Sequence, residues 1–363
     1  MDAIAERKRE HLEIAVKEEV EEYEYDNWLR YVHLIHYACS EISPDAVNLQ
    51  TRFLNYKFRI PIIIEALTGG CSEAKRINKI LAEACQEAGV GMYVGSQRAA
   101  LKDPSLTETY SITRKVAPDI FLVANIGAAQ IVSEEGVKDA LRAIEMIEAD
   151  AISIHLNLAH EILQPEGDTS FRGLLRALEK LREEVDIPII VKEVGFGISK
   201  EAALKLGKTG IAALDVAGRG GTSWAKIEWF RLKSRGLELK ARIAMHMREW
   251  GIPTAASILE VRTVLPNIPL VGSGGIRTGL DIAKVIALGA NIAGIGLPFL
   301  KYAYFGGKKK VLEYISELEE ELRAVIALTG FKSVDEFRGK SPYVIVGELY
   351  QWAIQRKLKF RGE

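Results

Sequence analysis

Short, uninterrupted apolar runs recur through the middle of this chain, separated by polar amphipathic stretches. The runs lie at 61–66, 91–94, 120–125, 151–155, 188–192, 211–216, 269–272 and 292–296. They are continuous rather than alternating, which is the pattern of parallel strands covered on both faces. The segments 72–88, 136–147, 171–184, 200–208 and 279–288 are rich in Glu, Lys, Ala and Leu and predict helices between them. Most strand-to-strand spacings are roughly 23–37 residues, the length of one strand–helix unit. A longer gap before the seventh run predicts an insertion at 219–251. Eight such units without a break in composition predict one α/β domain, a (β/α)8 TIM barrel, rather than a doubly wound sheet. A dinucleotide-binding sheet needs GxGxxG directly after a strand. The nearest match, from Gly272 through Gly274 and Gly275, ends in Arg277 and follows the seventh run. The reading divides the chain into an N-terminal arm or cap (1–50), the barrel (51–305) and C-terminal helices (306–363). Within these, 1–25 predicts a charged helix or arm, and 308–329 and 343–358 predict amphipathic helices. The apolar run at 251–256 predicts either a lead-in to a helix at 257–265 or a ninth strand.

Charge narrows the partners. Lys and Arg total 48 against 49 Asp and Glu, a net charge of −1 over 363 residues. Such a balance argues against nucleic-acid binding and leaves room for a local basic pocket. The N-terminus is charged throughout and carries no apolar leader. No apolar run reaches the roughly 18 residues needed to cross a bilayer. Cys39, Cys71 and Cys85 form no CxxC pair. Together these predict a cytoplasmic protein with reduced thiols and no membrane partner.

In a barrel of this kind, function sits where strands end and the following loops begin. Here every strand end carries polar or glycine-rich residues. They are Thr68-Gly69-Gly70, Ser96-Gln97-Arg98, Asn125, then His155, Asn157, His160 and Glu161, then Lys192-Glu193, Thr222, Gly274-Gly275 and Gly296. A lysine ending a buried strand needs an anionic partner, either a ligand or a carboxylate such as Glu193. Paired glycines in the last two loops let backbone N–H groups converge on a phosphate.

These motifs, taken in order with Arg7-Lys8 and His11, the 164–168 stretch and Trp224, resemble the type 2 isopentenyl diphosphate isomerase family of FMN-dependent barrels, over almost the whole chain. The resemblance implies conversion of isopentenyl to dimethylallyl diphosphate with reduced FMN as the acid–base cofactor, Mg²⁺, and NADPH as reductant. It places FMN on Thr68, Gly69, Gly70, Ser96, Asn125, Lys192, Thr222, Gly274, Gly275 and Gly296. It places the substrate diphosphate on Arg7, Lys8, Ser96, Gln97, Arg98, Asn157 and His160. It makes Glu161 the Mg²⁺ ligand and puts His155, His160 and Glu161 at the chemistry. It also implies a homo-oligomer, a tetramer or octamer.

Some positions depart from the family pattern. His160 replaces a glutamine, Glu65 a small residue on the first strand, Phe196 a small or polar residue, and Leu67 a methionine, while Arg219 adds a cation. All are expected at the ligand mouth. Glu65 is expected to partner a neighbouring Lys or Arg. His33 and His36 read as structural, His246 as a surface helix residue, Trp224 as packing, and Lys308–Lys310 as a solvated helix start. Two other activities fit the barrel: an FMN-binding paralogue with altered or lost isomerase activity, and a flavin oxidoreductase. The second wants a catalytic His near the sixth strand, and none is there.

Overall fold

The chain was analysed as a computed structural model that describes residues 3–22, 26–340 and 342–359. Residues 1–2 and 23–25 of the expected arm, and 341 and 360–363 of the C-terminal segment, lie outside the described residues. Eight parallel strands close into a barrel in chain order. They are β1 (Ile62–Ile64), β2 (Gly91–Tyr93), β3 (Leu122–Gly127), β4 (Ala151–Leu156), β5 (Ile189–Glu193), β6 (Ala213–Asp215), β7 (Leu270–Ser273) and β8 (Ile292–Ile295). The ring closes where β8 meets β1, with Ala293 opposite Ile62.

Alternation along each strand sorts the side chains. Ile62 and Ile64 join the core between barrel and helices. Ile63 points inward with Tyr93, Val123, Ala151, Ile190, Ala213, Val271 and Ile292. A hairpin, Thr51–Phe53 against Tyr56–Phe58, plugs the N-terminal end by adding Phe53 and Phe58 to this inner cluster. Its turn residues Leu54 and Asn55 both have positive φ, as tight hairpin turns of this hand require. Two residues further along each strand, the same inward direction carries Glu65, Asn125, Ser153, Lys192, Asp215, Ser273 and Gly294. The barrel is therefore apolar below and polar one layer above, at its C-terminal mouth.

The insertion forms two helices, Trp224–Ser234 and Glu238–His246, and His246 is exposed as expected. The 251–253 run is not a ninth barrel strand. Its backbone instead bridges two loops, Ile252 N donating to Phe196 O and Arg219 N to Ile252 O, both at 2.9 Å. The helix that follows is Thr254–Val264. The long helix Leu297–Leu328 breaks at Gly307 (φ 66°, ψ −165°), and Lys308–Lys310 follow that break. Lys308 pairs with Glu87, and Lys309 and Lys310 with Glu313.

The 343–358 segment differs from its predicted form. Tyr343–Ile345 is a strand antiparallel to Val32–Leu34, and only Gly347–Gln355 is helical. Tyr, Val and Ile favour extended backbone when a partner strand is at hand. His33 sits in that two-stranded sheet, and both it and His36 are exposed.

Glu260 ties the C-terminal helix to the barrel. Its Oε1 accepts from Trp352 Nε1 at 2.9 Å and Arg356 Nε at 2.7 Å, and its Oε2 from Lys200 N at 3.0 Å. The carboxylate is fully buried, so its loss leaves the Trp352 indole N–H and the Lys200 N–H without acceptors and leaves the Arg356 guanidinium with Glu201 alone. Glu260→Ala is expected to destabilise the fold by about 3 kcal/mol, the scale for breaking one side of a buried ion pair. Urea unfolding reads this directly, and an unchanged midpoint would show that the C-terminal helix is held by apolar packing alone.

Candidate active site

The polar layer opens into one deep cavity at the barrel mouth, roofed by α1 (Ala3–Lys17). The roof docks through an apolar stripe, Leu12, Ala15 and Val16, all buried. Its polar side reaches inward. Arg7 Nη1 donates to Gln164 Oε1 at 3.0 Å, and Lys8 Nζ to Ser96 O at 2.8 Å. The segment expected as a charged helix or arm is thus a docked helix in this structure. Arg98 points into the same space and lies 4.0 Å from Asp168.

At the floor, Lys192 is buried and held by two carboxylates. Its Nζ lies 3.3 Å from Glu65 Oε2 and 3.6 Å from Asp215 Oδ2, and donates to Glu193 O at 2.7 Å. The expected partner Glu193 contributes only that carbonyl. Its carboxylate instead accepts from the N–H groups of Val194, Gly195 and Phe196. Glu65 and Asp215 are both inward-facing strand-end residues, so the barrel brings them to one lysine. Desolvation, and then Asp215, push the Glu65 carboxyl up to about 8. Desolvation and the Asp215 charge raise the Tyr93 phenol well above its usual value. Glu65 Oε1 and Tyr93 OH are buried without a hydrogen-bond partner among the described residues. Glu65 lines the cavity, so its free oxygen is placed for a polar ligand group.

The wall on the β4 side carries His155, Asn157, His160 and Glu161. His155 Nδ1 lies 2.8 Å from Asn125 Oδ1. Burial, then Lys192 and Lys8, push His155 down to about 3, so the ring stays neutral. A neutral ring can donate or accept a hydrogen bond here, and it holds no spare proton near neutral pH. Glu161 is buried; Oε1 accepts from Asn157 Nδ2 at 2.8 Å and Oε2 from Asp168 N at 2.6 Å. Asn157 Oδ1 beside it has no hydrogen-bond partner among the described residues. One carboxylate with a neighbouring amide oxygen is a donor set suited to Mg²⁺, which keeps its other positions for phosphate and water.

The wall opposite is built of glycine. Gly274 (φ 109°) and Gly275 (φ 75°) have backbone that suits glycine. A Cβ on Gly275 would stand 2.2 Å from Gly220 O, so the sixth and seventh loops can meet only as glycine. Gly294 and Gly296 continue this wall, and Arg277, paired with Glu21, closes its outer edge. A glycine cradle facing a buried lysine suits a phosphorylated ligand with a planar, hydrogen-bonding head group such as a flavin.

Of the residues singled out from sequence, most line this one cavity: Arg7, Lys8, Thr68, Gly69, Ser96, Arg98, Asn125, His155, Asn157, His160, Glu161, Lys192, Thr222, Gly274, Gly275 and Gly296. Gln97 does not. It is fully buried, donates to Ala143 O and accepts from Asn125 N, so it positions β3 rather than touching a ligand. Gly70 lies behind the wall, its N–H bonded to Thr109 Oγ1. Phe196 and Arg219, expected at the mouth, are also absent from the cavity lining. Phe196 is buried under the 251–252 backbone, and Arg219 reaches Glu249 O and lies over Trp28. Glu65 and Leu67 do face the cavity. Trp224 is both packing and wall, its ring 4.4 Å from that of His160.

Sequence reasoning missed Asp215, Glu228 and Arg231. Asp215 was legible as the residue two beyond inward-facing Ala213. Glu228 and Arg231 lie three apart on an insertion helix, where nothing in the sequence marks a charged pair as buried, yet both are almost fully buried.

Comparison with known proteins agrees with this architecture. The family of FMN-dependent dehydrogenases matches residues 123–342. The fold is shared with a mandelate oxidase crystallised with (S)-2-phenylpropionate, at TM-score 0.65 and 17% identity, covering 95% of this chain and 98% of that one. A flavocytochrome b2 with benzoylformate gives TM-score 0.62 at 16% identity, covering 86% and 76%. Fold and site thus define a barrel of the FMN-dependent dehydrogenase class. Sequence relatives narrow this further. An isopentenyl-diphosphate delta-isomerase of Ignicoccus hospitalis is 42% identical over 350 residues, 96% of each chain. One of Pyrococcus furiosus is 43% identical over 357 residues, 96% of this chain and 89% of that one. This chain belongs to the type 2 isopentenyl-diphosphate delta-isomerase family. Among the described residues no helix is long and apolar enough to cross a membrane.

The buried Glu65 makes stability depend on pH. Its carboxyl holds a proton in the folded state up to about 8, against an ordinary value of 4.5. The folded state then binds more protons than the unfolded chain across this window, so stability falls as pH rises through it. Protein without flavin is expected to lose stability from pH 5 toward pH 8, and Glu65→Gln to lose less. Parallel denaturation curves for both proteins would show that Glu65 is ionised throughout.

Proposed function

We propose that this protein isomerises isopentenyl diphosphate to dimethylallyl diphosphate, using reduced FMN, Mg²⁺ held through Glu161, and NADPH as the source of electrons. The observation that carries the reading is one cavity with two unlike halves. Arg7, Lys8 and Arg98 converge beside Asn157 and Glu161, while a glycine wall faces Lys192. Guanidinium forks and an ammonium suit diphosphate oxygens, and the glycine wall suits the cofactor phosphate. The relatives' shared name supports the same reaction.

The cofactor, when bound, would supply the group that gives and takes the proton across the allylic system. Everything else falls to the chain. Thr68, Ser96, Asn125, Lys192, Thr222, Gly274, Gly275 and Gly296 would hold the flavin, and the Lys192 charge would favour its reduced form. Arg7, Lys8, Arg98, Asn157 and His160 would hold the diphosphate, and α1 would keep water from the chemistry. Neutral His155 would fix orientation by hydrogen bonding. The assembly we infer is a homo-oligomer, a tetramer or octamer. One observation favours a second reading, an FMN-binding paralogue with altered activity. The Asp215 carboxylate beside Lys192 offsets the charge that would stabilise a reduced flavin.

Anaerobic incubation of the protein with FMN, NADPH, Mg²⁺ and isopentenyl diphosphate is expected to yield dimethylallyl diphosphate. Protein that binds FMN and turns over nothing would favour the paralogue.

Lys8 adds a pH signature. Burial, and then Arg7, hold its ammonium down to about 8 from 10.5. KM for the diphosphate is expected to rise as pH passes this value, because the cation is lost. Lys8→Arg, which stays charged, should remove that rise; if KM still climbs in the variant, Lys8 does not grip the substrate.

A further inference from the structure

His11, His160 and Glu228 meet where α1 crosses the insertion helix. His11 Nε2 is 2.7 Å and His160 Nε2 3.0 Å from the same atom, Glu228 Oε1. The candidate ligand atoms of all three residues lie within 4.8 Å of one another. Metal–ligand bonds of about 2.0–2.2 Å place neighbouring ligand atoms roughly 3 Å apart, close to the two separations from Glu228 Oε1; the imidazole nitrogens need a small inward shift to share one ion. Two imidazoles and one carboxylate form a donor set for divalent transition metals.

The hydrogen bonding of the trio does not close on itself. Gln164 Nε2, which can only donate, lies 2.5 Å from His160 Nε2 and 3.2 Å from Glu228 Oε1. His160 Nε2 must then present a lone pair to the amide, and that same lone pair faces the carboxylate oxygen. Turning the amide over mends this contact but sets Gln164 Nε2 against Arg7 Nη1, donor against donor. A cation among the three atoms accepts a lone pair from each ring and from the carboxylate, and removes the repulsion between the His160 lone pair and Glu228 Oε1. The surroundings already hold the ligands in place. Arg231 Nη1 donates to Glu228 Oε2 at 3.1 Å, leaving Oε1 for an ion. Trp224 packs on both rings, at 4.4 Å from His160 and 5.4 Å from His11.

We propose that His11, His160 and Glu228 bind one divalent transition-metal ion of the zinc type, with its open coordination position turned to the cavity, where it takes an anionic oxygen of the bound ligand. His11 and His160 both line that cavity, which supplies the open side. The site is separate from the Glu161 carboxylate and does not rest on the isomerase reading.

The test is calorimetric titration of untagged, EDTA-treated full-length protein with Zn²⁺ alone, followed by zinc K-edge X-ray absorption. The expected result is one equivalent bound, with scattering from two imidazoles. Glu228→Gln and His160→Gln should each weaken binding at least about tenfold, since changes even in the outer shell of a metal cost that much. Glu161→Gln should leave the zinc affinity unchanged. Circular dichroism checks that each variant is folded; if Glu228→Gln is not, His160→Gln decides. The proposal is overturned if the wild type takes up no Zn²⁺, if neither ligand variant weakens binding, or if Glu161→Gln alone abolishes it.

Discussion

A single buried cation organises the mouth of this barrel. Lys192 ends β5 on its inward face, and leaving an ammonium there unpaired would cost several kcal/mol. The chain meets that cost with Glu65 from the end of β1, across the barrel interior, and Asp215 from the neighbouring β6. β1, β5 and β6 are thereby fixed in height relative to one another. Asp215 in turn accepts from Ser273 Oγ at 2.5 Å, which carries the same network to β7. The polar layer is therefore a connected floor rather than a set of independent strand ends. Its pairing also sets the chemistry above it: a lysine held by the Asp215 carboxylate and the protonated Glu65 carboxyl presents less positive charge than a lone one.

The roof depends on a second buried network, centred on Glu228. That residue bonds His11 of α1, His160 of the β4 loop and Arg231 of its own helix. Arg231 continues to Glu10 and Glu166. Arm, wall and insertion are thus joined behind the diphosphate-facing residues. The two rings set against it, His11 and His160, hold the Glu228 carboxyl far below its usual range despite its burial. Burial in turn pushes the His11 ring down to about 4. The roof is consequently held by this network together with the buried apolar stripe of Leu12, Ala15 and Val16.

The barrel was legible because parallel strands buried on both faces leave continuous apolar runs, and all eight runs became strands. The strand ends were legible for the same reason: polarity at the end of such a run has no structural use. What failed was whatever depends on direction rather than position. Gln97 stands between two ligand-facing residues, yet the backbone turns it to Ala143 and Asn125. Phe196 and Arg219 follow strands in sequence, but the 251–253 backbone inserts beside them and claims both. Residues 343–358 read as one amphipathic helix because periodicity alone cannot reveal that Val32–Leu34 offers a free strand edge. Glu228 and Arg231 were hidden because a charged pair on an insertion helix looks the same whether it faces water or α1.

The floor is the part of this account on which the rest stands, and flavin electrochemistry reads it. The midpoint potential of bound FMN should be measured in the wild type and in Lys192→Ala. If Lys192 lies beneath the flavin, removing its charge destabilises the reduced ring and the potential falls. Equal potentials in the two proteins would contradict the account, because they would show that the buried lysine serves Glu65 and Asp215 and nothing above them.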